Sequence, residues 1–394
     1  MGTVIVLGHR PGLAEAIERR GLEPLYVVEK DKEALRGRRV RRVSDLENGQ
    51  EVLRAVMSTE AVGVAGVVTA HEQGVFTAAL LRDHLRLPGD RDYARALRFR
   101  DKYLQKTALP PSVGRAACVY VDTRTGWADL ADRLGVPFVV KPANGFAAAG
   151  AAKVCSEEEF DRYLGEQRRD AAVGDTALVA ESFVPGDELH VDGVWYGGRM
   201  LWSSVARYHE PPMNTHDGAV LASQILSPTE NPDLVARAGD LAAEALRGLD
   251  APDCVFHLEA FDSEGTLVFG ECAARLSGAH LPEIVGLTYG VNLYDAVVAL
   301  AVGEDPSPHL VAKEPTEYFA YVYLRRFPGT TVTRADFEKR FRCHELSYQD
   351  GGVGRTGYYG RVGHALVGAP TNSGLTDIVD RMVEFNAHGR DREG

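Results

Sequence analysis

The chain has 394 residues, of which 45% are hydrophobic, 25% charged and 8% aromatic. This balance is that of a globular protein and excludes a disordered chain, a collagen-like repeat and a small disulfide scaffold, while the length predicts two or three domains at roughly 150 residues each. The formal net charge of −12 disfavours a non-specific nucleic-acid binder. Nucleotides are still compatible with it, because a few local cations and backbone amides can hold a small anion.

The five cysteines are scattered and show no CxxC spacing, which predicts reduced thiols and a cytoplasmic location. The most apolar stretches, at 61–70 and 296–303, are well short of the roughly 18 residues that a membrane span needs. We therefore expect a soluble intracellular protein with neither membrane nor nucleic acid among its partners. A homodimer is the commonest oligomer and is the default expectation.

The first elements in chain order alternate between apolar strands and helices. Strands are predicted at 3–7, 24–28 and 64–69, and helices at 13–20 and 74–85. This alternation predicts a parallel sheet covered on both faces, in a Rossmann-like lobe over residues 1–90. The loop at residues 8–12, with glycines only at its two ends, lacks the G-x-G-x-x-G spacing of dinucleotide sites, so NAD binding is disfavoured.

The middle of the chain mixes further helices and strands. We predict helices at 92–106, 156–169, 232–249 and 292–302, and strands at 136–141, 177–181, 188–195 and 200–207. Two more strands, 254–261 and 267–271, read as a hairpin around Asp262-Ser263-Glu264-Gly265. The last ninety or so residues form a mixed lobe, and residues 390–394 are expected to be frayed.

Two glutamates stand on the predicted hairpin, twelve positions apart. Glu259 and Glu271 each end a strongly apolar run, and across the turn both carboxylates can point to one face. Buried carboxylates are costly unless they are neutralised, and Mg²⁺ is held by one or two carboxylates together with substrate phosphates. The pair is therefore a candidate metal site, and two surface-facing strand residues are the alternative.

Cations precede a loop of small residues. Lys141 ends a strand and is followed by the glycine- and alanine-rich stretch 144–150, which can close over phosphates, and Lys102 lies upstream on a helix. The stretch 181–192 then combines a strand end, a Pro-Gly turn and Glu188 at the start of the next strand. Such a segment can line an adenine slot and offer Glu188 to ribose hydroxyls.

In their order along the chain, these pieces resemble the motifs of the ATP-grasp superfamily. The motifs are Arg100-Asp101-Lys102, Val139-Val140-Lys141-Pro142, the stretch 181–188, His257-Leu258-Glu259, and the stretch 271–278 in place of E-x-N-x-R-x-x-G. The resemblance covers roughly residues 90–300 and implies an α/β fold in which two subdomains grip ATP. The implied domains are the Rossmann-like lobe 1–90, a small subdomain with a lid 91–175, a large subdomain with the metal site 176–303, and a C-terminal lobe 304–394.

The resemblance also implies roles for individual residues. Lys102 and Lys141 would contact ATP phosphates, Glu181 and the backbone near Val184 would bind adenine, and Glu188 would bind ribose. Glu259 and Glu271 would hold two Mg²⁺ ions, Arg275 would meet the acyl phosphate or the substrate carboxylate, and Arg207 would add a phosphate contact. Four further positions near the metal strands are candidates for touching substrate: His257, Ser277, Gly278 and His280. For the two histidines, a purely structural role with satisfied hydrogen bonds is the alternative.

The implied activity is ATP-dependent ligation of a small carboxylate to an amine, through an acyl phosphate. The stretch 271–290 most resembles the amino-acid and dipeptide ligases of the superfamily. Two departures from the pattern are Ala273, where a metal-binding asparagine is usual, and the alanine lid Phe146-Ala147-Ala148-Ala149, where serines are usual. A biotin-carboxylase-like or purine-pathway enzyme of the same fold and a non-catalytic nucleotide-binding module are the alternatives.

Overall fold

The computed structural model describes residues 2–58, 63–167, 177–350 and 360–389. Its helices are α1 (Pro11–Arg19), α2 (Gly49–Met57), α3 (Val75–Leu85), α4 (Tyr93–Arg98), α5 (Lys102–Ala108), α6 (Trp127–Leu134), α7 (Glu157–Gln167), α8 (Pro232–Gly248), α9 (Leu281–Tyr289), α10 (Leu293–Ala301), α11 (Arg334–Arg340) and α12 (Asn372–His388). The predicted boundary at 175 and the expected fraying at 390–394 lie outside the described residues.

The strands follow the same numbering along the chain. They are β1 (Thr3–Leu7), β2 (Glu23–Val28), β3 (Arg39–Arg42), β4 (Val64–Thr69), β5 (Cys118–Val121), β6 (Phe138–Pro142), β7 (Ala152–Val154), β8 (Leu178–Ser182), β9 (Asp187–Tyr196), β10 (Arg199–Tyr208), β11 (Ala222–Ile225), β12 (Cys254–Ser263), β13 (Thr266–Ala273), β14 (Tyr318–Leu324), β15 (Glu345–Tyr348) and β16 (Gly363–Ala369).

Three sheets organise these strands. The N-terminal sheet is parallel and runs β3-β2-β1-β4, and the lid sheet is antiparallel and runs β5-β8-β6-β7. The central sheet is antiparallel and runs β13-β12-β9-β10-β11-β14-β16-β15. The predicted α/β fold with a Rossmann-like N-terminal lobe is confirmed. The strands after residue 303 join the central sheet, and the domain boundaries themselves stay a prediction.

The N-terminal sheet is buried as its apolar strands predict. All five residues of β1 are buried, and β1 pairs in parallel with β2 on one side and β4 on the other. Because parallel strands end at the same edge, the loops that follow β1, β2 and β4 meet there. This edge faces the central sheet.

The predicted single helix at 92–106 is wrong, because two short helices occupy this segment. Asp92 caps α4, accepting hydrogen bonds from the backbone amides of Ala94 and Arg95, and Asp101 caps α5 by accepting from that of Leu104. A second aspartate with capping geometry starts a new helix here, since its side chain satisfies an otherwise unpaired amide. The break makes Lys102 the first residue of α5.

The hairpin of β12 and β13 confirms the predicted turn and contains a register shift. Ser263 pairs with Thr266, and pairing continues regularly to Ala260 and Phe269, after which Glu259 pairs with Glu271. Gly270 is the extra residue of this bulge, and a Cβ there would lie 2.9 Å from the carbonyl oxygen of Glu259. The bulge therefore sets the two glutamates directly opposite each other.

No single helix in the described ranges is long and apolar enough to cross a membrane. Helices α9 and α10 together have the length and apolar composition of a membrane span, but they are bent by 111° relative to each other.

Candidate active site

A cavity of about 1130 Å³ collects side chains from all three sheets. Its walls are the loops after β1, β2 and β4, the small-residue loop after β6, the segment after β8, and the face of the central sheet that carries Glu188 and Glu259. This volume is above the roughly 300–1,000 Å³ of ordinary ligand pockets, so the cavity can take more than one small molecule.

Three lysines point into one end of the cavity. The Lys102 ammonium lies 3.0 Å from a carboxylate oxygen of Glu271 and donates to the Gly145 carbonyl at 2.7 Å. The Lys141 ammonium lies 2.9 Å from Glu181, and that of Lys106 lies 3.0 Å from the other oxygen of Glu181. The predicted pair of lysines is brought together, and Lys106 joins them.

Sequence reasoning missed Lys106. It is buried, lines the cavity and donates to the Gly270 carbonyl at 2.7 Å. Its signal in the sequence is its position four residues after Lys102, which puts both lysines on one face of α5.

Glu181 is held ionised between two of these lysines. Burial works to raise its pKa, but Lys106 and Lys141 lower the pKa to about 2. Burial lowers the pKa of Lys106 despite Glu181, whereas at Lys141 Glu181 and Glu271 overcome burial and raise the pKa. The side chain of Glu181 is therefore already engaged by the two lysines, and its backbone lies in the ladder between β5 and β6, opposite Cys118 and Val139.

Three carboxylates share the neighbouring face of the central sheet. Glu259 pairs with Glu271 on one side and with His190 on the other, and Glu188 stands two positions before His190 on the same face. Burial raises the pKa of Glu188 well above its ordinary value, and the charges of Glu259 and Glu271 raise it further. Glu188 is buried, and Glu259 and Glu271 are partly exposed to the cavity, so this face offers carboxylate oxygens of the kind that a divalent cation prefers.

A chain of buried polar groups continues from Glu259 into the sheet. His257 Nε2 lies 3.3 Å from Glu259 Oε1, and His257 Nδ1 lies 3.0 Å from Asp192. Asp192 also contacts His190 at 2.6 Å, and His190 contacts Ser223 at 2.8 Å. Although burial lowers the pKa of His257, Asp192 and Glu259 raise it to about 10. The imidazolium is thus held between two carboxylates.

Ala273 lies directly opposite His257 in the β12–β13 ladder. The two residues share the face that carries Glu259 and Glu271, as strand alternation requires. Ala273 offers no oxygen to a metal, and the imidazole of His257 lies beside Glu259.

Arg275 lines the cavity just beyond the end of β13, and a residue of the N-terminal lobe orients it. Its Nε donates to a carboxylate oxygen of Glu72, and its Nη1 donates to the Leu276 carbonyl at 2.7 Å. Glu72 also pairs with Arg100 at 3.3 Å and is only 8% exposed. Glu72 was not predicted, because only the fold brings the loop after β4 to β13.

The remaining predicted residues divide between the cavity and the interior. Val184, Gly278 and His280 line the cavity. Ser277 is buried behind the wall, and its carbonyl accepts from Arg10. Arg207 pairs with Leu189 in the sheet and so lies on the face opposite Glu188; it is placed near Asp187, at 3.4 Å, and away from the cavity.

The small-residue loop covers the lysine end. Residues from Phe146 to Ala149 line the cavity, and both Ala147 and Ala148 adopt left-handed backbone with φ of 55°. His216, in a 3-10 helix at Pro212–Asp217, contacts the Ala148 carbonyl at 2.8 Å across the opening. The loop therefore has the position expected of a phosphate lid, with alanines where serines are usual.

Comparison with known proteins agrees with this geometry. No family model matches the chain. In sequence it is 26% identical over 303 residues to an L-arginine-specific L-amino acid ligase of Bacillus subtilis, covering 73% of this chain and 70% of that protein. It is 28% identical over 195 residues to a D-alanine–D-alanine ligase of Ralstonia pickettii, covering 46% of this chain and 56% of that one.

Solved structures reproduce nearly the whole fold. An L-amino acid ligase from Bacillus licheniformis matches with a TM-score of 0.76 at 18% identity, and the match covers 98% of each chain. A carboxyaminoimidazole ribonucleotide synthase from Aspergillus clavatus, complexed with ATP, matches with a TM-score of 0.76 at 17% identity and the same coverage.

The fold and the convergence of lysines and carboxylates agree with the arrangement expected of an ATP-grasp enzyme. Its fold is that of the ATP-grasp carboxylate–amine ligases, as the order of the sequence motifs predicted. Within that class, its sequence is similar to L-amino acid ligases and D-alanine–D-alanine ligases.

Proposed function

We propose that this chain activates an amino acid with ATP and joins it to an amine, releasing ADP and phosphate. The observation that carries the proposal is the convergence in one cavity of Lys102, Lys106 and Lys141 with Glu259 and Glu271. Cations and metal-binding carboxylates at one end are what the transfer of a phosphoryl group requires. The sequence similarity to an L-amino acid ligase supports an amino acid as the carboxylate.

We propose separate tasks for the two ends of the cavity. The three lysines bind the ATP phosphates, Glu181 and the backbone near Val184 meet adenine, and Glu188 meets the ribose. Closure of the loop at 144–150 excludes water, which protects an acyl phosphate from hydrolysis. Two Mg²⁺ ions, held by Glu259 and Glu271, would neutralise charge on the transferring phosphoryl group.

Arg275 binds the carboxylate that becomes activated. A guanidinium offers a planar pair of donors to two oxygens, and Glu72 fixes its orientation from behind. A carboxylate oxygen attacks the γ-phosphorus and ADP leaves; the amine nitrogen then attacks the acyl carbon and phosphate leaves. The protein supplies orientation and charge rather than a covalent nucleophile.

The test is phosphate release from ATP and Mg²⁺ with a panel of amino acids, singly and in pairs. Release that depends on an added amino acid, with a peptide or amide product seen by mass spectrometry, is expected. Lys141→Ala should abolish turnover and the thermal shift given by MgATP, while its far-ultraviolet circular dichroism stays that of the wild type. MgATP binding without release under any pair would leave a nucleotide-binding module as the better description.

A further inference from the structure

Several basic side chains line the cavity where the loops of the N-terminal sheet reach it. We use the name N-terminal crevice for the part lined by His9, Arg10, Lys30, Lys32 and His71. These residues follow β1, β2 and β4, so they meet at the carboxyl edge of a parallel sheet, where open α/β folds bind ligands.

The acidic residues around this crevice are already engaged. Glu29 accepts from the Leu46 amide at 3.1 Å, and Glu283 pairs with Arg10 at 3.5 Å. Glu72 holds Arg275 and Arg100. Among the described residues, neither Lys30 nor Lys32 forms an ion pair or a side-chain hydrogen bond with an acidic group. The crevice therefore offers the ammonium groups of Lys30 and Lys32 to a ligand, with Glu29 the acidic group that acts electrostatically on Lys32.

The pKa values of the two histidines in the crevice are both lowered. Burial lowers the pKa of His71 to about 4, and Lys32, Arg10 and Arg275 lower it as well. Burial and then Lys32 lower the pKa of His9 in the same way. Both imidazoles are neutral at physiological pH, so they can donate an N–H to a ligand without adding charge.

His71 also connects the crevice to the reaction centre. Arg275 and Lys32 both act electrostatically on His71. The backbone of Gly8 approaches the same ring so closely that a Cβ at position 8 would lie 2.1 Å from it. His71 is thus held against Gly8 in the lining of the cavity that also contains Arg275 and Lys32.

We propose that the N-terminal crevice binds a second anionic group on the amino acid that Arg275 holds, so that the preferred substrate has an acidic or phosphorylated side chain. The proposal rests on the function proposed above and names its substrate class. A carboxylate and a phosphate share the chemistry that Lys32, Lys30 and the neutral imidazoles recognise. An arginine side chain would meet like charge there, which separates this chain from its arginine-specific relative in Bacillus subtilis.

The experiment first measures the binding of amino acids in the absence of turnover, and then their turnover with ATP. Calorimetry in the presence of MgADP would compare L-aspartate, L-glutamate and O-phospho-L-serine with L-alanine and L-arginine. We expect one of the three anionic amino acids to bind at least tenfold more tightly than L-alanine, and L-arginine to bind most weakly. Aspartate and glutamate test the carboxylate, and phosphoserine tests the phosphate.

Variants assign the effect to the crevice. Lys32→Gln should weaken binding of the preferred anionic amino acid about tenfold and leave L-alanine within twofold, and Lys32→Arg should restore most of the loss. Lys313→Gln, which removes an exposed lysine outside the cavity, is the matched control. Lys32 is exposed, so its variants should fold.

Two outcomes overturn the proposal. One is preferential binding and turnover of a neutral or basic amino acid, which would leave the ligase function in place and refute the anionic substrate alone. The other is an equal effect of Lys32→Gln on every amino acid. If MgATP produces no thermal shift and no amino acid supports phosphate release, the proposed function itself fails.

Discussion

Glu181 offers the sharpest test of the electrostatics of the site. A buried carboxyl whose pKa is about 2, against an ordinary 4.5, contributes about 3 kcal/mol to folding above pH 4.5. Glu181→Gln keeps the shape and one acceptor but leaves Lys106 and Lys141 without the charge between them. We therefore expect the free energy of unfolding at pH 7 to fall by about 3 kcal/mol, measured by urea unfolding.

The pH dependence of stability tests whether the charge of Glu181 is the cause. Because the native pKa is lowered, the contribution of Glu181 is complete above pH 4.5 and is lost as the pH falls towards 2. The difference between wild type and Glu181→Gln should therefore shrink on acidification. Equal urea midpoints at pH 7, or a difference that grows in acid, would refute the reasoning.

Glu188→Gln is the matched control, since Glu188 is also buried beside the cavity, but the carboxylates of Glu259 and Glu271 act on it more strongly than Lys141 does. Its pKa is raised by burial, Glu259 and Glu271, so ionisation of Glu188 costs stability at neutral pH. The unliganded variant should be as stable as the wild type or more so. A loss comparable to that of Glu181→Gln would mean that any change at this depth is destabilising and that charge is not the cause.

Three further changes test other parts of the site. Gly270→Ala places a Cβ against the Glu259 backbone, so we expect the free energy of unfolding in urea to fall by about 1–3 kcal/mol. The variant should also need more Mg²⁺ for the ATP-induced thermal shift. An unchanged Mg²⁺ requirement would contradict the role of the bulge. Asp192→Asn removes the charge between His190 and His257 and should cost about 3–5 kcal/mol of stability; an unaltered unfolding curve would show that the chain of polar groups is unimportant. Glu72→Gln should raise KM for the amino acid about tenfold, which is the scale of one charge-assisted hydrogen bond. KM for ATP should stay within twofold of the wild type. Equal changes in both KM values would show that Glu72 does not orient Arg275.

The metal pair shows how far the sequence reaches. The spacing of twelve between Glu259 and Glu271 predicted one shared face, and the structure has the two residues directly paired. In an unbroken ladder from the turn, Glu259 would instead oppose Gly270, and Glu271 would point to the other face. The outcome depends on a bulge, and a glycine within a strand only hints at one.

Contacts between residues far apart in the chain could not be predicted from the sequence. Arg207 was placed at the phosphates from its position at a strand end, but strand alternation from Glu188 and register with Leu189 put it on the other face. Glu72 and Arg275 lie about two hundred positions apart and meet only because two lobes pack together. Lys106 was within reach, since the spacing of four from Lys102 is visible in the sequence, but the expected helix ended there.

The strand order of the central sheet restricts how this chain can be shortened or recombined. β14 pairs with β11 through Ala222 and Val322, Ser223 and Tyr321, and Gln224 and Ala320. A chain cut after residue 303 would keep the proposed phosphate and metal residues yet leave β11 as a bare edge, a surface that recruits other strands and aggregates. Exchange of C-terminal segments between relatives must therefore preserve the hydrogen bonds between β11 and β14. If such chimaeras are insoluble, we expect the cause to be a disrupted β11–β14 pairing rather than a loss of active-site residues.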